Sequence, residues 1–222
     1  MLFKEIKILL KKEILIEWRE KTAINGLILY AISSIAVCYL SFRLHNQTLS
    51  VVTWNALFWI ILLFSAINAV TKSFLQERNG RWLYYYTMVS PESIILSKII
   101  YNAILLVFLS IGSLGIFAIF MDFPAQDTFL FILTVILGAL GFSSTFTLMA
   151  ALSSKSQNSS VLMAILSFPI ILPLLLILMR LSKNAIDGLS RSVSYDELLI
   201  VFGLNIIVII LSLILFPFLW RA

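Results

Sequence analysis

Apolar residues run through this chain in long blocks separated by short polar interruptions. The blocks fall at about 23–43, 51–71, 99–121, 128–152, 161–181 and 198–219. Each is close to the roughly 20 residues that a helix needs to cross the hydrocarbon of a bilayer. None shows the period-two alternation of a barrel strand, and only helices or closed barrels satisfy their backbone polar groups in lipid. The pattern therefore predicts an all-α polytopic membrane protein, with six transmembrane helices in a single domain spanning residues 1–222. Residues 1–22 differ. Leu2, Ile6, Leu9 and Leu10 recur at helical spacing while Lys4, Lys7 and Lys11 project from the other side. This predicts an amphipathic helix in the membrane interface, apolar face in lipid and cations among headgroups, with Glu13 and Glu17 interrupting the face. A plain topology signal that happens to be helical is the alternative.

The widest interruption is 72–98, which contains QERNGRWLYYYTMVSPESIILSK at residues 76–98. The second span is expected to run on through Thr71–Asn79, and Gly80 to stop it, as glycine often does just past a helix. Arg81–Val89 then forms a short helix carrying Trp82, Leu83, Tyr84, Tyr85 and Tyr86. Ser90 reads as the N-cap of the next helix, with Pro91 in its first turn and Glu92 favoured by the helix dipole. Aromatic rings bounded by a firm stop and a firm start suit a docking knob. They suit a membrane-interface belt equally well, because both use amphipathic rings.

Composition sharpens the class. Charged residues make up 12% of the chain, against about 25% in soluble domains, and the mean hydropathy is +1.04. The net charge of +5 would suggest nucleic acid in a soluble protein; here its distribution matters more. With both termini inside, only Arg43, Arg180, Lys183 and Arg191 of the 16 Lys and Arg fall on the outer side. That positive-inside bias predicts cytoplasmic termini and a cytoplasmic 72–98 segment. Cys38 is the single cysteine, so it offers no intrachain disulfide. The first apolar run begins too far in, and is too long, for an ordinary signal peptide.

The search for chemistry mostly excludes. No P-loop occurs, so any ATP-driven step is expected on another polypeptide. No carboxylate lies deep in a span, which argues against a proton-coupled carrier. The GFSS fragment at 141–144 suggests an intramembrane serine protease, but Ser143 has no nearby base in the sequence. His45, the only histidine, lies in the outer loop between the first two spans and cannot make a bis-histidine heme site alone. Gly138, Gly141, Ser143, Ser144, Thr145 and Thr147 make the fourth span a close-packing helix, with a substrate path as the weaker reading. Pro169 and Pro173 share one helical face and deprive the carbonyls of Ile165 and Pro169 of their donors. They predict a kink, which serves either as a hinge or as a static bend. The outer loop 182–197 suits a short helix dipping back toward the membrane or a solvated loop.

Several blocks, in order, resemble the cytochrome c maturation protein B family, also called heme exporter protein B, which are permease subunits of an ABC-type complex. They are Glu17-Trp18-Arg19 before Asn25-Gly26-Leu27, and ALFWIILLF at 56–64 followed by Glu77-Arg78, Gly80, Ser90-Pro91-Glu92, Lys98 and Asn102. LGFSSTFTLMAAL at 140–152 and LSFPIILPLLL at 166–176 complete the set. The resemblance covers nearly the whole chain. The chain departs from the family at Tyr84-Tyr85-Tyr86, where small aliphatic residues are more usual. The resemblance implies a multi-pass protein of the bacterial inner membrane that is not itself an enzyme and has no catalytic or metal-binding residues. It implies ATPase coupling through Glu77, Arg78, Gly80, Arg81, Trp82, Tyr84, Tyr85, Tyr86, Ser90, Pro91 and Glu92, which tilts the aromatic cluster toward docking. The implied partners are a cytoplasmic ABC ATPase, a second copy of the chain, a heme-handling membrane protein, a small accessory subunit and a periplasmic heme chaperone. Heme and ATP/Mg would then sit on those partners, with no cofactor on this chain. A permease for another cargo (a lipid, polysaccharide or small toxic compound) and an assembly subunit without transport are the alternatives.

Overall fold

The computed structural model describes residues 2–20, 22–44, 49–75, 89–154 and 158–221. Helices α1 (Leu2–Glu20), α2 (Thr22–Leu44), α3 (Val51–Leu75) and α4 (Pro91–Met121) are followed by α5 (Thr128–Ser153) and α6 (Ser159–Ile186). A 3-10 turn at Arg191–Ser194 leads into α7 (Tyr195–Arg221), and no strand occurs among the described residues. Among the described residues six helices, α2 to α7, are long and apolar enough to cross a membrane. The all-α, six-span expectation holds.

The boundaries differ where polar residues extend a helix beyond its apolar block. α4 begins at Pro91, where the Ser90-Pro91-Glu92 signal puts it and eight residues ahead of the apolar block, and is 31 residues long. At 1.5 Å per residue that is about 46 Å, longer than the roughly 30 Å of hydrocarbon, so one end must project. Likewise α6 runs on to Ile186 and α7 starts at Tyr195. The predicted outer loop therefore shrinks to a turn at Gly188, which has φ 65°, plus the 3-10 segment.

α5 occupies the centre and packs against α3, α4, α6 and α7. Its small residues make this close packing feasible. A Cβ on Gly138 would stand 2.7 Å from Cζ3 of Trp59, and one on Gly141 would stand 2.7 Å from both Leu174 Cδ2 and Asn205 Oδ1. The glycines thus seat a tryptophan of α3, a leucine of α6 and an asparagine of α7, which supports the packing reading of this helix. Ser143 donates to the Ile99 carbonyl at 2.9 Å, so its proton belongs to α4 and not to a catalytic base. Nearby, Asn102 Nδ2 donates to Thr147 Oγ1 at 2.9 Å.

α6 continues through both Pro169 and Pro173, which lie on its exposed side. At the end of the bundle where α4 gives way to α5, neutral polar groups join α3 to α6. Trp59 Nε1 donates to Ser182 Oγ (2.9 Å), while Ser182 Oγ reaches Asn55 Oδ1 (2.8 Å) and Asn55 Nδ2 donates to the Met179 carbonyl (2.9 Å). Beside them the Trp54 indole donates to the carbonyls of Met121 and Asp122. It thereby holds Asp122 at φ 51°, a backbone region that side chains other than glycine rarely adopt.

Candidate functional site

The described part of the predicted coupling region is its exit, Ser90-Pro91-Glu92, and the predicted interfacial-helix residues Glu17, Trp18 and Arg19 are described as well. Glu77, Arg78, Gly80, Arg81, Trp82, Tyr84, Tyr85 and Tyr86 lie outside the described residues, as does His45. Around the exit the structure brings together a set of polar groups that links α1, α3 and α4.

α1 lies along the first turns of α4 with both helices running in the same sense. Its residues meet those of α4 in order: Glu5 meets Ser90 and Ser93, Glu13 meets Lys98, and Glu17 meets Tyr101. α2 continues along the same helix, reaching an edge-to-face contact of Tyr39 with Phe120 at 5.3 Å. The stripe of α1 that packs inward is Ile6, Leu9, Glu13 and Glu17, all buried. Ile6 and Leu9 were expected to face lipid. They face protein instead, and Leu9 joins Ile94, Ile95, Ile99 and Phe216 in a small apolar cluster. Glu13 and Glu17 do not spoil the buried face, because each meets a donor from α4.

Ser90 occupies the cap position of α4 with extended backbone, and Pro91 fills the first turn, as predicted. The capping itself is different. Ser90 makes no side-chain cap within its own helix; its hydroxyl and its N–H both donate to Glu5 Oε2, at 2.9 and 3.3 Å. Ser93 Oγ donates to the same oxygen at 2.8 Å. A carboxylate from α1 therefore sits at the positive end of the α4 dipole, where an anion is favoured. These bonds, first that from Ser93 and then those from Ser90, hold the Glu5 carboxyl below the usual glutamate range.

Lys98 is the hub. It is buried, and its ammonium lies 3.5 Å from Glu13 Oε1 of α1 and donates to the Ser73 carbonyl of α3 at 3.3 Å. Ser73 and Lys98 stand on either side of residues 76–88, so both stems of that segment converge on one ammonium. Glu13 also pairs with Lys12 at 2.9 Å, but Lys12 is partly exposed and its attraction is screened by water. One turn further, Tyr101 O–H donates to Glu17 Oε2 at 3.0 Å. Of the predicted α1 triplet, Glu17 is thus an internal contact, while Trp18 and Arg19 face outward.

Glu5, Ser93 and Tyr101 were not singled out from the sequence, and Glu13 only as an interruption of the apolar face. A signal was present, since Glu5, Glu13 and Glu17 lie within one face of α1 together with Ile6 and Leu9. Carboxylates that share a face with buried apolar residues need donors on the opposing helix. Among the described residues no group of three or more His, Cys, Asp or Glu comes together as a metal site.

The profile of the family described as CcmB protein matches residues 4–220. A comparison with curated proteins found no significant match, and neither did one with solved structures. The match takes in every membrane-crossing helix and the α1–α4 junction. The chain therefore belongs to the CcmB family of multi-pass membrane permease subunits that act in heme export and cytochrome c biogenesis.

Proposed function

We propose that this chain is the non-catalytic permease subunit of an ABC-type complex for cytochrome c maturation. In this reading a partner ATPase binds residues 77–92, and its ATP-driven closure is passed to heme export or to release of a heme-loaded periplasmic chaperone. The chain lies in the inner membrane with both termini cytoplasmic, next to a second copy, a heme-handling membrane protein and a small accessory subunit. Heme is cargo here, and its ligands and ATP/Mg belong to the partners.

The observation that carries the reading, beyond family membership, is the convergence on Lys98. Ser73 and Lys98 flank the segment that the ATPase would push, and the Lys98 ammonium bonds both the Ser73 carbonyl and Glu13 of α1. A force on 76–88 would therefore move α1, α3 and α4 together. α5 carries the movement on through its glycine contacts with Trp59 and Leu174. α6 is the span best suited to yield, because Pro169 and Pro173 remove two of its backbone donors.

Copurification with the ATPase, followed by chaperone release from the reconstituted complex, tests the proposal. Changing Trp82, Tyr84, Tyr85 and Tyr86 to polar residues is expected to abolish ATPase association. Unchanged association would sink the docking role. Chaperone release that proceeds without ATP would sink the coupling role, and ATP-driven movement of a different cargo would replace heme as the substrate.

A further inference from the structure

Beside its packed stripe, α1 borders an apolar groove that it shares with α2 and α4. Ile14 and Trp18 of α1, Leu27 and Ile28 of α2, and Ile104 and Phe108 of α4 line it, and its volume is about 230 Å³. Its floor carries Glu17 and Tyr101, but these bond each other, so the lining is almost wholly carbon. Along α4 it extends from Tyr101 to Leu109, about 12 Å at the rise of a helix.

Size and chemistry limit what fits. A helix with its side chains is about 10 Å across, so it could set only one row of side chains into the groove. An extended peptide would bring unpaired N–H and C=O groups into a site that offers them no partner. A hydrocarbon chain meets neither objection.

The charges at the mouth specify the rest of the molecule. Lys7, Lys11, Ile14 and Trp18 are spaced by four, three and four residues, so they form one stripe along α1, and all four are exposed. The stripe passes from two ammonium groups straight into the mouth of the groove. Among the described residues neither Lys7 nor Lys11 has an ion-pair partner; Glu13 is taken up by Lys12 and Lys98. Lysines on an amphipathic helix beside a membrane span attract anionic headgroups. We propose that this groove holds one acyl chain of an anionic phospholipid whose headgroup phosphate is bound by Lys7 and Lys11.

The test uses the full-length protein in phosphatidylcholine vesicles. A small fraction of the lipid is either phosphatidylglycerol or phosphatidylcholine brominated on its acyl chains, and tryptophan emission is recorded. A Trp18→Phe variant isolates the Trp18 signal from that of the other tryptophans. Brominated phosphatidylglycerol is expected to quench Trp18 at a much lower mole fraction than brominated phosphatidylcholine. The preference is expected to be roughly 30-fold if each lysine contributes as cations near an anionic surface do. In Lys7→Gln/Lys11→Gln, two exposed changes that leave the packed face of α1 intact, both lipids should quench alike.

Equal quenching by the two lipids in the wild type would overturn the proposal. So would a preference that survives the double lysine change, because the headgroup would then sit elsewhere. Retention of phosphatidylglycerol on delipidated protein by native mass spectrometry, without selective quenching of Trp18, would place the lipid outside the groove. Quenching prevented by a copurifying protein would show that a polypeptide covers this face.

Discussion

The two ends of the bundle are closed by different chemistry. Where α1 meets α4, the contacts are made by ionisable side chains: Glu5 on Ser90 and Ser93, Glu13 on Lys98, Glu17 on Tyr101. At the far end the buried contacts between α3 and α6 are neutral, running through Asn55, Trp59 and Ser182. A neutral hydrogen bond loses one partner when broken and leaves a modest penalty. A buried ion pair leaves an uncompensated charge, so its loss is larger and more nearly all-or-none. The charged end is next to residues 76–88, and the neutral end is not. The buried helix contacts are thus ionic beside residues 76–88 and neutral between α3 and α6 at the far end.

The largest effect is expected from Lys98→Met. It removes the cation that joins α1, α3 and α4 and leaves Glu13 buried with only a screened lysine beside it. Breaking a buried pair from one side costs about 3 kcal/mol or more, to be read as a shift in the unfolding equilibrium in mixed micelles. If the pair matters as a pair, Glu13→Leu combined with Lys98→Met recovers much of that loss. Losses that simply add would mean that Lys98 acts through Ser73 alone.

Next in size is Gly138→Ala. The added methyl would meet the Trp59 ring at 2.7 Å, and that ring is fully buried and tied to Ser182. Overpacking of this kind costs roughly 1–3 kcal/mol. Trp59→Leu, destabilising alone, is expected to offset part of the loss in the double variant, which a double-mutant cycle on the same equilibrium would detect. Ser182→Ala should follow at about 1 kcal/mol, the scale of an interhelical hydrogen bond inside a membrane protein. A Ser182→Ala loss matching that of Lys98→Met would erase the contrast between the ends.

Much of this was legible in the sequence, for reasons that can be named. Apolar length alone marks the six spans, and Ser90-Pro91-Glu92 marks the start of α4 because a serine cap followed by proline is favoured at the first turn of a helix. Periodicity tells which residues of α1 share a face but not which helix they meet, so Ile6 and Leu9 were assigned to lipid and not to α4. For the same reason Ser90 was given the capping of its own helix, while the acceptor it uses, Glu5, is 85 residues away. The small residues of α5 pointed to close packing, yet nothing local to Gly138 names Trp59 as the group it admits. Lys98 entered only through the family resemblance, because a lysine bordering an apolar block reads as a topology signal until its partners are in place.

The smallest effects separate the two ends by pH. On the far side Asp127 accepts two bonds from Arg191, at 2.7 and 3.0 Å, and one from Leu130 N at the start of α5. The arginine bonds, and after them the backbone N–H, bring its carboxyl down to about 2. A carboxylate depressed in the folded state stabilises fully above its ordinary value, near 3.9, and loses that contribution as pH falls through the folded value. The Asp127 contribution is therefore lost between about pH 4 and about pH 2, while Glu5, lowered from 4.5, begins to lose its own below about pH 4.5. Both groups are solvated, so each difference should be small and should shrink with salt. Melting temperatures of Glu5→Gln and Asp127→Asn, each subtracted from wild type across this range, should show both differences flat near neutrality. On acidification each difference closes as its carboxylate is neutralised, and that of Asp127 persists toward pH 2. An Asp127 difference already gone at pH 4 would mean that Arg191 does not hold the carboxylate, and that the far end is closed by its neutral bonds alone.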